Sequence, residues 1–266
     1  MSDIQKAILI PVYNHGKACF GVVESIALYC REHAAKIILV DDGNAEETKR
    51  CLQEIAEQYR DIVQLLSLPK NAGKGEAFRS GMLKARELGF THVLQLDADG
   101  QHDAHRVPFF FERAEQNPAA MICGYPEYDE SAPTHRKGAH RFANWWCSVV
   151  TWRRGIVDSL CGFRVYPVES VCDFYRKHRT DSRMGFDIEI LLRLIWRGVP
   201  FEFHGVRVTY PADGISNFRA FRDNVRISWV FTKLFLGMVV RIPVFVFQKI
   251  RAAKQRQSEQ SEQKNG

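Results

Sequence analysis

The segment whose residue types are best suited to chemistry is Asp97-Ala98-Asp99-Gly100-Gln101, which follows the largely apolar stretch Val93–Leu96. Such a stretch is typical of a buried strand, so we expect both carboxylates at an exposed strand end. Alternate residues of an extended segment point to one side, so Asp97, Asp99 and Gln101 are candidates to hold one hard cation. Oxygen ligands of this kind suit Mg²⁺ or Mn²⁺, which commonly bridge to a diphosphate. The alternative is a polar turn with solvated carboxylates.

Two further polar clusters follow strand-like stretches. Asp41-Asp42-Gly43 ends the stretch Lys36–Val40, where a carboxylate can accept hydrogen bonds from a nucleobase or a ribose. A turn with a helix N-cap is the alternative there. Asn71-Ala72-Gly73-Lys74-Gly75 opens a predicted helix, and a glycine-bearing helix start favours bound anions. The P-loop spacing is absent and no G-x-G-x-x-G follows the first strand, which disfavours a dehydrogenase.

The elements that must position these clusters alternate between strand and helix patterns. Strand patterns occupy Ala7–Val12, Lys36–Val40, Ile62–Leu68 and His92–Leu96, with helix patterns between them. This alternation predicts an α/β fold with a mostly parallel sheet flanked by helices. Ligands of such sheets bind outside the carboxyl ends of the strands, which is where all three clusters lie. Beyond residue 100 we predict helices at 106–116, 135–154 and 186–196, and strands at 119–124, 162–166 and 201–208.

Composition narrows the class of protein. The chain has 266 residues, of which 45% are apolar and 26% charged, and this excludes disordered and collagen-like classes for most of its length. The seven cysteines are scattered without a C-x-x-C pair, which disfavours a disulfide framework or a zinc site and favours a reducing compartment. The start of the chain is polar, so we expect no secretory signal.

The net charge of +6 is concentrated near the C-terminus. Residues 225–254 hold six basic and no acidic side chains, which leaves 31 basic and 31 acidic residues elsewhere. This distribution disfavours a nucleic-acid-binding face and favours a local basic segment. Its longest uncharged runs are too short to span a bilayer, but aromatic and basic residues together suit a helix lying in the membrane interface. A helix packed on the protein's own core is the alternative.

Six motifs occur in a fixed order: Ile10-Pro11-Val12-Tyr13-Asn14, Val40-Asp41-Asp42-Gly43, Asn71-Ala72-Gly73-Lys74-Gly75, Leu96-Asp97-Ala98-Asp99-Gly100-Gln101-His102, Asp158-Ser159-Leu160-Cys161-Gly162-Phe163-Arg164 and Phe186-Asp187-Ile188-Glu189-Ile190-Leu191. This order resembles that of the family 2 glycosyltransferases of GT-A fold, a Rossmann-like fold that uses nucleotide-diphospho-sugars. The last two motifs look like those of the dolichyl- and polyprenyl-phosphate sugar synthases in that family. The resemblance covers roughly residues 6–216.

The resemblance implies roles for particular positions. Those expected to border the nucleotide sugar are Pro11, Tyr13, Asn14, Asp41, Asp42, Lys74, Gly75 and Asp97. Those expected to hold Mg²⁺ or Mn²⁺ on the donor diphosphate are Asp97, Asp99 and Gln101. Arg164 would face the phosphates, and Asp187 is the candidate catalytic carboxylate.

The expected reaction is an inverting transfer of a hexose from the donor to a lipid-linked, polyprenyl-phosphate-like acceptor. A lipid phosphate is already ionised at neutral pH and needs no strong base, whereas a hydroxyl acceptor needs a carboxylate to take its proton. Asp187 and Glu189 do not share a helical face, and we choose Asp187 as that base. The alternatives are a glycolipid or saccharide hydroxyl acceptor and a degenerate nucleotide-sugar or membrane-binding protein.

The resemblance and the basic segment together suggest three regions. We expect a glycosyltransferase domain over residues 1–216, amphipathic interface helices over 217–254 and a disordered polar tail over 255–266. The basic side chains expected to contact the acceptor or the membrane are Arg136, Arg141, Arg226, Lys233 and Arg241. These expectations place the protein peripherally at the cytoplasmic face of a membrane.

Overall fold

A computed structural model describes residues 4–128, 134–152, 155–209, 222–223, 225–243 and 246, and the side chains of 128 and 134–142 lie outside that description. The strands are β1 (Lys6–Val12), β2 (Lys36–Asp41), β3 (Val63–Ser67), β4 (His92–Gln95), β5 (Met121–Tyr128), β6 (Arg164–Pro167) and β7 (Phe201–Val208). The helices are α1 (Gly16–Glu32), α2 (Glu46–Gln58), α3 (Lys74–Glu87), α4 (Val107–Gln116), α5 (Thr134–Thr151), α6 (Val168–Lys177), α7 (Phe186–Trp196) and α8 (residues 225–243), with a 3₁₀ turn at Ala104–Arg106.

The seven strands form one sheet in the order β3-β2-β1-β4-β6-β5-β7. The pairings among β1 to β4 are parallel, and so is that of β5 with β7. Only the pairings of β6 with β4 and β5 are antiparallel. The predicted α/β fold with a mostly parallel sheet is confirmed, and β7 forms one edge of the sheet.

Helices cover both faces of this sheet. On one face, apolar residues of α1, α2 and α4 pack against the strands, with Val23, Leu52 and Phe110 fully buried. On the other face, α3, α6, α7 and α8 share a core that includes Phe78 and Leu234. The central strands β1, β2 and β4 are buried on both sides, as parallel sheets require, whereas β3 and β7 at the two ends of the sheet are mostly half-buried. With both faces covered, the carboxyl ends of β1, β2 and β4 form the open edge of the sheet, where loops and not helices meet the solvent.

The structure differs from the sequence-based expectation in two elements. Helix α6 was not predicted, because it follows β6 directly and Val168 starts it without a separating loop. Strand β5 extends to Tyr128 rather than ending at Gly124, because its second half pairs with β7 through residue Val208. The expected tail 255–266 and the boundary near residue 216 lie outside the described residues.

All seven cysteines are free thiols, and six of them are buried, as the absence of a cysteine pattern suggested. Burial raises the pKa of the Cys19, Cys123 and Cys161 thiols to about 12, so they are protonated at neutral pH. Cys51 on α2 is the partly exposed one. Among the described residues, no helix is both long enough and apolar enough to cross a bilayer.

Candidate active site

The polar clusters predicted from the sequence lie at the open edge of the sheet. Asp41 is the last residue of β2 and pairs with Val12 at the end of β1. Asp97 follows β4, the other neighbour of β1. Because parallel neighbours end on the same side, these carboxylates and the loop after β1 share one rim.

Asn44 links the ends of β1 and β2. Its side-chain amide donates to the Val12 carbonyl (2.8 Å) and to Asp41 Oδ1 (2.7 Å), and its Oδ1 accepts the backbone N–H of Asn14 (2.7 Å). This fixes Asn14 in a left-handed conformation, with φ of 63°. Tyr13 and Asn14 are exposed beside it. The loop after β1 is therefore a solvent-facing wall at the rim, and the role of Pro11, Tyr13 and Asn14 beside a nucleotide stays a prediction.

A cavity of about 330 Å³ opens beside Asp41, between the ends of β2 and β3 and the helix α2. Its lining residues are Asp41, Lys49, Gln53, Leu65, Ser67, Leu68 and Pro69. Asp41 is almost fully buried, and Asn44 binds its Oδ1 through both the backbone and the side-chain N–H groups. A flat polar ring with a hydrogen-bond donor fits a cavity that combines apolar walls with a buried carboxylate.

Asp42 has a different role from its neighbour. Its carboxylate accepts backbone N–H groups of Ala72 (2.7 Å) and Gly73 (2.9 Å) and the side-chain amide of Asn71. Burial raises the pKa of this carboxyl above its usual value, although the two backbone donors oppose the rise. The structure thus places Asp42 under the Asn71–Gly73 loop, where its carboxylate holds the loop backbone. It does not lie at the nucleotide-facing surface that the resemblance implied.

Lys74, the first residue of α3, joins two carboxylates from different parts of the chain. Its Nζ lies 2.8 Å from Asp97 Oδ1 and 3.0 Å from Asp187 Oδ2. Burial alone would lower the pKa of Lys74, but the two carboxylates outweigh that effect and raise it above its usual value. Burial likewise opposes ionisation of Asp97, and Lys74 reverses this, so the pKa of Asp97 is lowered. Lys74 is therefore a fixed cation between Asp97 and Asp187.

Two side chains of the sheet, one from β4 and one from β6, donate hydrogen bonds to Asp187. Its Oδ1 accepts a hydrogen bond from Gln95 Nε2 (2.9 Å), while its backbone carbonyl accepts one from Arg164 Nη1 (2.7 Å). Arg164 is completely buried, and its guanidinium also lies 3.4 Å from the Tyr166 hydroxyl. The structure therefore places Arg164 beneath Asp187, not at the surface where it was expected to face phosphates. The reason is that β6 is a central strand, so its inward side chains lie in the core.

Asp99 and Gln101 are arranged by a turn rather than by the extended segment that the sequence suggested. Gly100 has a φ of 71°, and the backbone N–H of Gln101 donates to Asp99 Oδ1 (3.1 Å). The alternative, a polar turn, is thus present, but its carboxylates are only partly exposed, and Asp97 is paired with Lys74. Burial and the Asp97 carboxylate raise the pKa of Asp99. A divalent cation would relieve this crowding of like charges, so the donor set suits Mg²⁺ or Mn²⁺.

Within the part of the chain that the structure describes, no three His, Cys, Asp or Glu side chains group closely enough to hold a metal ion by themselves. Mg²⁺-type sites often use one or two carboxylates and complete their shell with substrate phosphates and water. The residues present fit that second type of site, in which Asp99 and Gln101 would be the protein ligands. Asp97, the third predicted ligand, has its Oδ1 2.8 Å from Lys74 Nζ instead.

Glycines bring the surrounding loops close to the carboxylates. A Cβ atom on Gly162 would lie 2.9 Å from Asp97 Oδ2 and 3.0 Å from Lys74 Nζ. Gly75 is buried and donates its N–H to the Ser182 carbonyl (2.9 Å), so it lies under the site and not at its surface. The Asp158–Gly162 loop and the segment before α7 therefore form two walls around Lys74.

The basic residues expected at the membrane are engaged within the protein. Arg226 lies 3.2 Å from Asp181, Lys233 lies 3.2 Å from Glu189, and the Arg241 guanidinium is 5.1 Å from the centre of the Trp196 ring. The spacing of seven and eight residues puts all three on the flank of α8 that faces α7. The structure therefore shows internal contacts for them in place of the expected free basic face. The Arg136 and Arg141 side chains on α5 lie outside the described residues.

Several residues that shape the site were not identified from the sequence. Gln95 is fully buried in β4. A polar residue within an apolar strand pattern is visible in the sequence and indicates a buried polar contact. Asn44 accepts a backbone N–H 30 positions away, and Asp181 pairs with the side chain of Arg226, 45 positions away. No local pattern distinguishes them from ordinary loop residues.

Comparison with known sequences identifies the chain's family. Residues 7–179 match the family described as Glycosyl transferase family 2. Similar curated proteins include the dolichyl-phosphate beta-glucosyltransferases of Dictyostelium discoideum and Homo sapiens, each 26% identical over 212 residues. These matches cover 72% and 70% of the chain and 62% of each relative, so the chain spans about three fifths of their length.

A solved structure supports the fold. Glucosyl-3-phosphoglycerate synthase from Mycobacterium tuberculosis, in complex with Mn²⁺, uridine diphosphate and phosphoglyceric acid, superposes with a TM-score of 0.66 at 15% identity. The match covers 88% of this chain and 78% of that one, and it confirms the predicted GT-A architecture. Because the family match over residues 7–179 covers more than half of the chain, the chain belongs to glycosyl transferase family 2.

Proposed function

We propose that this chain transfers a hexose, with inversion, from a nucleotide-diphospho-sugar to a polyprenyl-phosphate-like acceptor, and that Mg²⁺ or Mn²⁺ binds at Asp99 and Gln101. The choice of a phosphate acceptor rests on the hydrogen bonds that the Asp187 carboxylate already accepts. Its Oδ1 is bound to Gln95 and its Oδ2 to Lys74. A hydroxyl acceptor would have to protonate this carboxylate, which removes the negative charge that Lys74 binds and weakens the ion pair, whereas an ionised lipid phosphate needs no base.

The donor would lie along the rim from Asp41 to Asp99. The cavity at Asp41 is the proposed place for the nucleobase, with Pro11, Tyr13 and Asn14 alongside the nucleoside. Lys74 would lie close to the diphosphate, as a point charge held by Asp97. The names of the similar glucosyltransferases and the Mn²⁺ and uridine diphosphate complex of the structural relative support a uridine diphosphate hexose as the first donor to test.

The protein groups have separate tasks in this reaction. When bound, the metal ion supplies positive charge to the leaving diphosphate. Lys74 adds a second positive charge nearby, in a position that Asp97 and Asp187 fix before the donor arrives. Asp187, with its own orientation set by Gln95 and Arg164, would face the anomeric carbon and stabilise the positive charge that develops there. The attacking atom would be a phosphate oxygen of the acceptor.

We also propose that α8 touches a membrane surface through its outer face. The side chains of Trp229, Leu236 and Val240 are 62%, 57% and 78% exposed and lie on one stripe. Val230 and Leu234 on the opposite stripe are buried in the core. Exposed apolar residues in a stripe suit the boundary between lipid headgroups and acyl chains.

Radiolabelled transfer from uridine diphosphate glucose to polyprenyl phosphate in detergent tests the proposal. We expect Mn²⁺-dependent product with polyprenyl phosphate and little with alkyl glycoside or sugar hydroxyl acceptors. Asp99→Asn should lower kcat about 100-fold, or about 2.7 kcal/mol in activation free energy. Asp103→Asn is the matched control, because Asp103 caps the following 3₁₀ turn and an asparagine can do the same. Greater transfer to hydroxyl acceptors would contradict the proposed acceptor, and full activity of Asp99→Asn would contradict the metal role.

A further inference from the structure

Helix α8 packs against the start of α7 through an apolar stripe. Val230, Leu234 and Met238 are buried at four-residue spacing and belong to the core shared with α7. At Gly185, directly before α7, a Cβ atom would lie 2.7 Å from Val230 Cγ2. A glycine therefore permits this close approach of α8 to the helix that carries Asp187.

Two ion pairs tie one flank of α8 to the same region. Arg226 Nη2 lies 3.2 Å from Asp181 Oδ1 and 3.5 Å from Ser182 Oγ. Lys233 Nζ lies 3.2 Å from Oε2 of Glu189, which is fully buried. The same Glu189 oxygen accepts the backbone N–H of Asp181 (2.7 Å). Both basic residues thus act on Asp181, one directly and one through Glu189.

The segment that they hold supports the start of α3. The Ser182 carbonyl accepts the N–H of Gly75, as described above. A Cβ atom on Gly75 would lie 2.3 Å from the Asp181 carbonyl oxygen, and one on Gly73 would lie 2.2 Å from the Ser182 carbonyl oxygen. Lys74 lies between these two glycines, so its backbone rests directly on the segment bound by α8.

We infer that Arg226 and Lys233 are positioning residues, which hold the segment 181–185 against the start of α3 so that Lys74 meets Asp187. The inference rests on the proposed function, because that function gives Lys74 and Asp187 their task. Arg226 acts through Asp181 and Lys233 acts through Glu189. Helix α8 is therefore part of the structure that supports the active site.

Hydrogen–deuterium exchange of the full chain tests this coupling without any transfer assay. In Arg226→Gln and Lys233→Gln, we expect the amides of 181–185 and of Gly75 to exchange at least about tenfold faster, while those of β1 and β2 are unchanged. Arg226→Lys and Lys233→Arg keep the charge and should restore most of the protection. Arg197→Gln is the matched control, because it removes an exposed charge at the far end of α7.

The transfer assay then asks whether the coupling affects catalysis. We expect the two glutamine variants to lower kcat about tenfold with the donor KM changed by less than about twofold, because the cavity at Asp41 does not contact the segment 181–185. Unchanged exchange at 181–185 and Gly75, faster exchange throughout the chain, or an unchanged kcat would each overturn the inference. Absence of transfer by the wild-type chain would refute the proposed function instead, and the exchange data would still decide the coupling.

Discussion

Replacing Lys74 by methionine keeps the shape of the side chain and removes the charge between Asp97 and Asp187. Breaking a buried ion pair by removing one partner costs about 3–5 kcal/mol, because the other charge stays buried. The Lys74 side chain is 21% exposed and that of Asp97 24%, so solvent screens part of the penalty. We therefore expect Lys74→Met to lower the free energy of unfolding by about 2–3 kcal/mol, which for a chain of this size is a fall in Tm of about 4–12 °C.

The pH dependence of this loss follows from the two pKa shifts. The lowered pKa of Asp97 stabilises the folded chain above the usual value of 3.8, and that contribution disappears as the pH falls through the lowered pKa. The raised pKa of Lys74 stabilises the fold below its usual value of 10.5, and that contribution disappears as the pH rises through the raised pKa. The difference between wild type and Lys74→Met should therefore be full between these values and smaller outside them.

Urea denaturation followed by circular dichroism, at about pH 7 and again at about pH 3, measures this difference. Lys84→Met is the matched control on the same helix, because Lys84 pairs with Glu87, whose side chain is 67% exposed. Such a surface pair contributes about 0.2–1 kcal/mol. The reasoning would be refuted if Lys74→Met were no less stable than Lys84→Met at neutral pH, or if its deficit were as large at about pH 3.

Two further predictions concern the loops around the site. Asp42→Ala removes the acceptor of the Ala72 and Gly73 backbone N–H groups. We expect the free energy of unfolding, measured by urea denaturation, to fall by about 1–3 kcal/mol. A fall of less than about 0.5 kcal/mol would contradict the role of Asp42 in holding this loop. Gly162→Ala places a methyl group against the ends of the Asp97 and Lys74 side chains. Because the nearest atoms are side-chain ends and not backbone, a small shift of these ends accommodates the methyl group, and we expect Tm to change by less than about 3 °C. The shift displaces the Lys74 charge, so we expect kcat to fall about tenfold in the transfer assay; an unchanged kcat would show that this wall does not shape the site.

The fold could be predicted from the sequence because strand and helix patterns alternate clearly in the first hundred residues. Buried strand runs such as Lys36–Val40 carry consecutive apolar residues, and the helices between them keep a regular spacing, so the alternation alone predicts a parallel sheet. The region after residue 100 was less predictable. Helix α6 begins where β6 ends: Pro167 is both the last residue of β6 and the N-cap of α6, and no glycine or polar cluster separates the two elements.

The candidate site was predictable as a set of motifs but not as a set of contacts. Asp41 ends β2, Asp97 and Asp99 follow β4, and the topology brings these strand ends together. The Lys74–Asp187 pair joins residues 113 positions apart, and nothing in their local patterns indicates it. Arg226 likewise belongs to a basic segment that suggests a lipid surface, yet its partner Asp181 is fixed by the way α8 packs on α7.

The distribution of thiols has a practical consequence for spectroscopy. Because Cys51 is partly exposed and the other six cysteines are buried, the natural sequence offers one preferred position for a maleimide dye. Cys51 Cβ would lie 3.3 Å from a Cβ built on Gly16, which starts α1 just after the Tyr13–Asn14 wall. A fluorophore at Cys51 would therefore lie beside the start of α1, close to the proposed donor site, and its emission should report donor binding without any engineered cysteine.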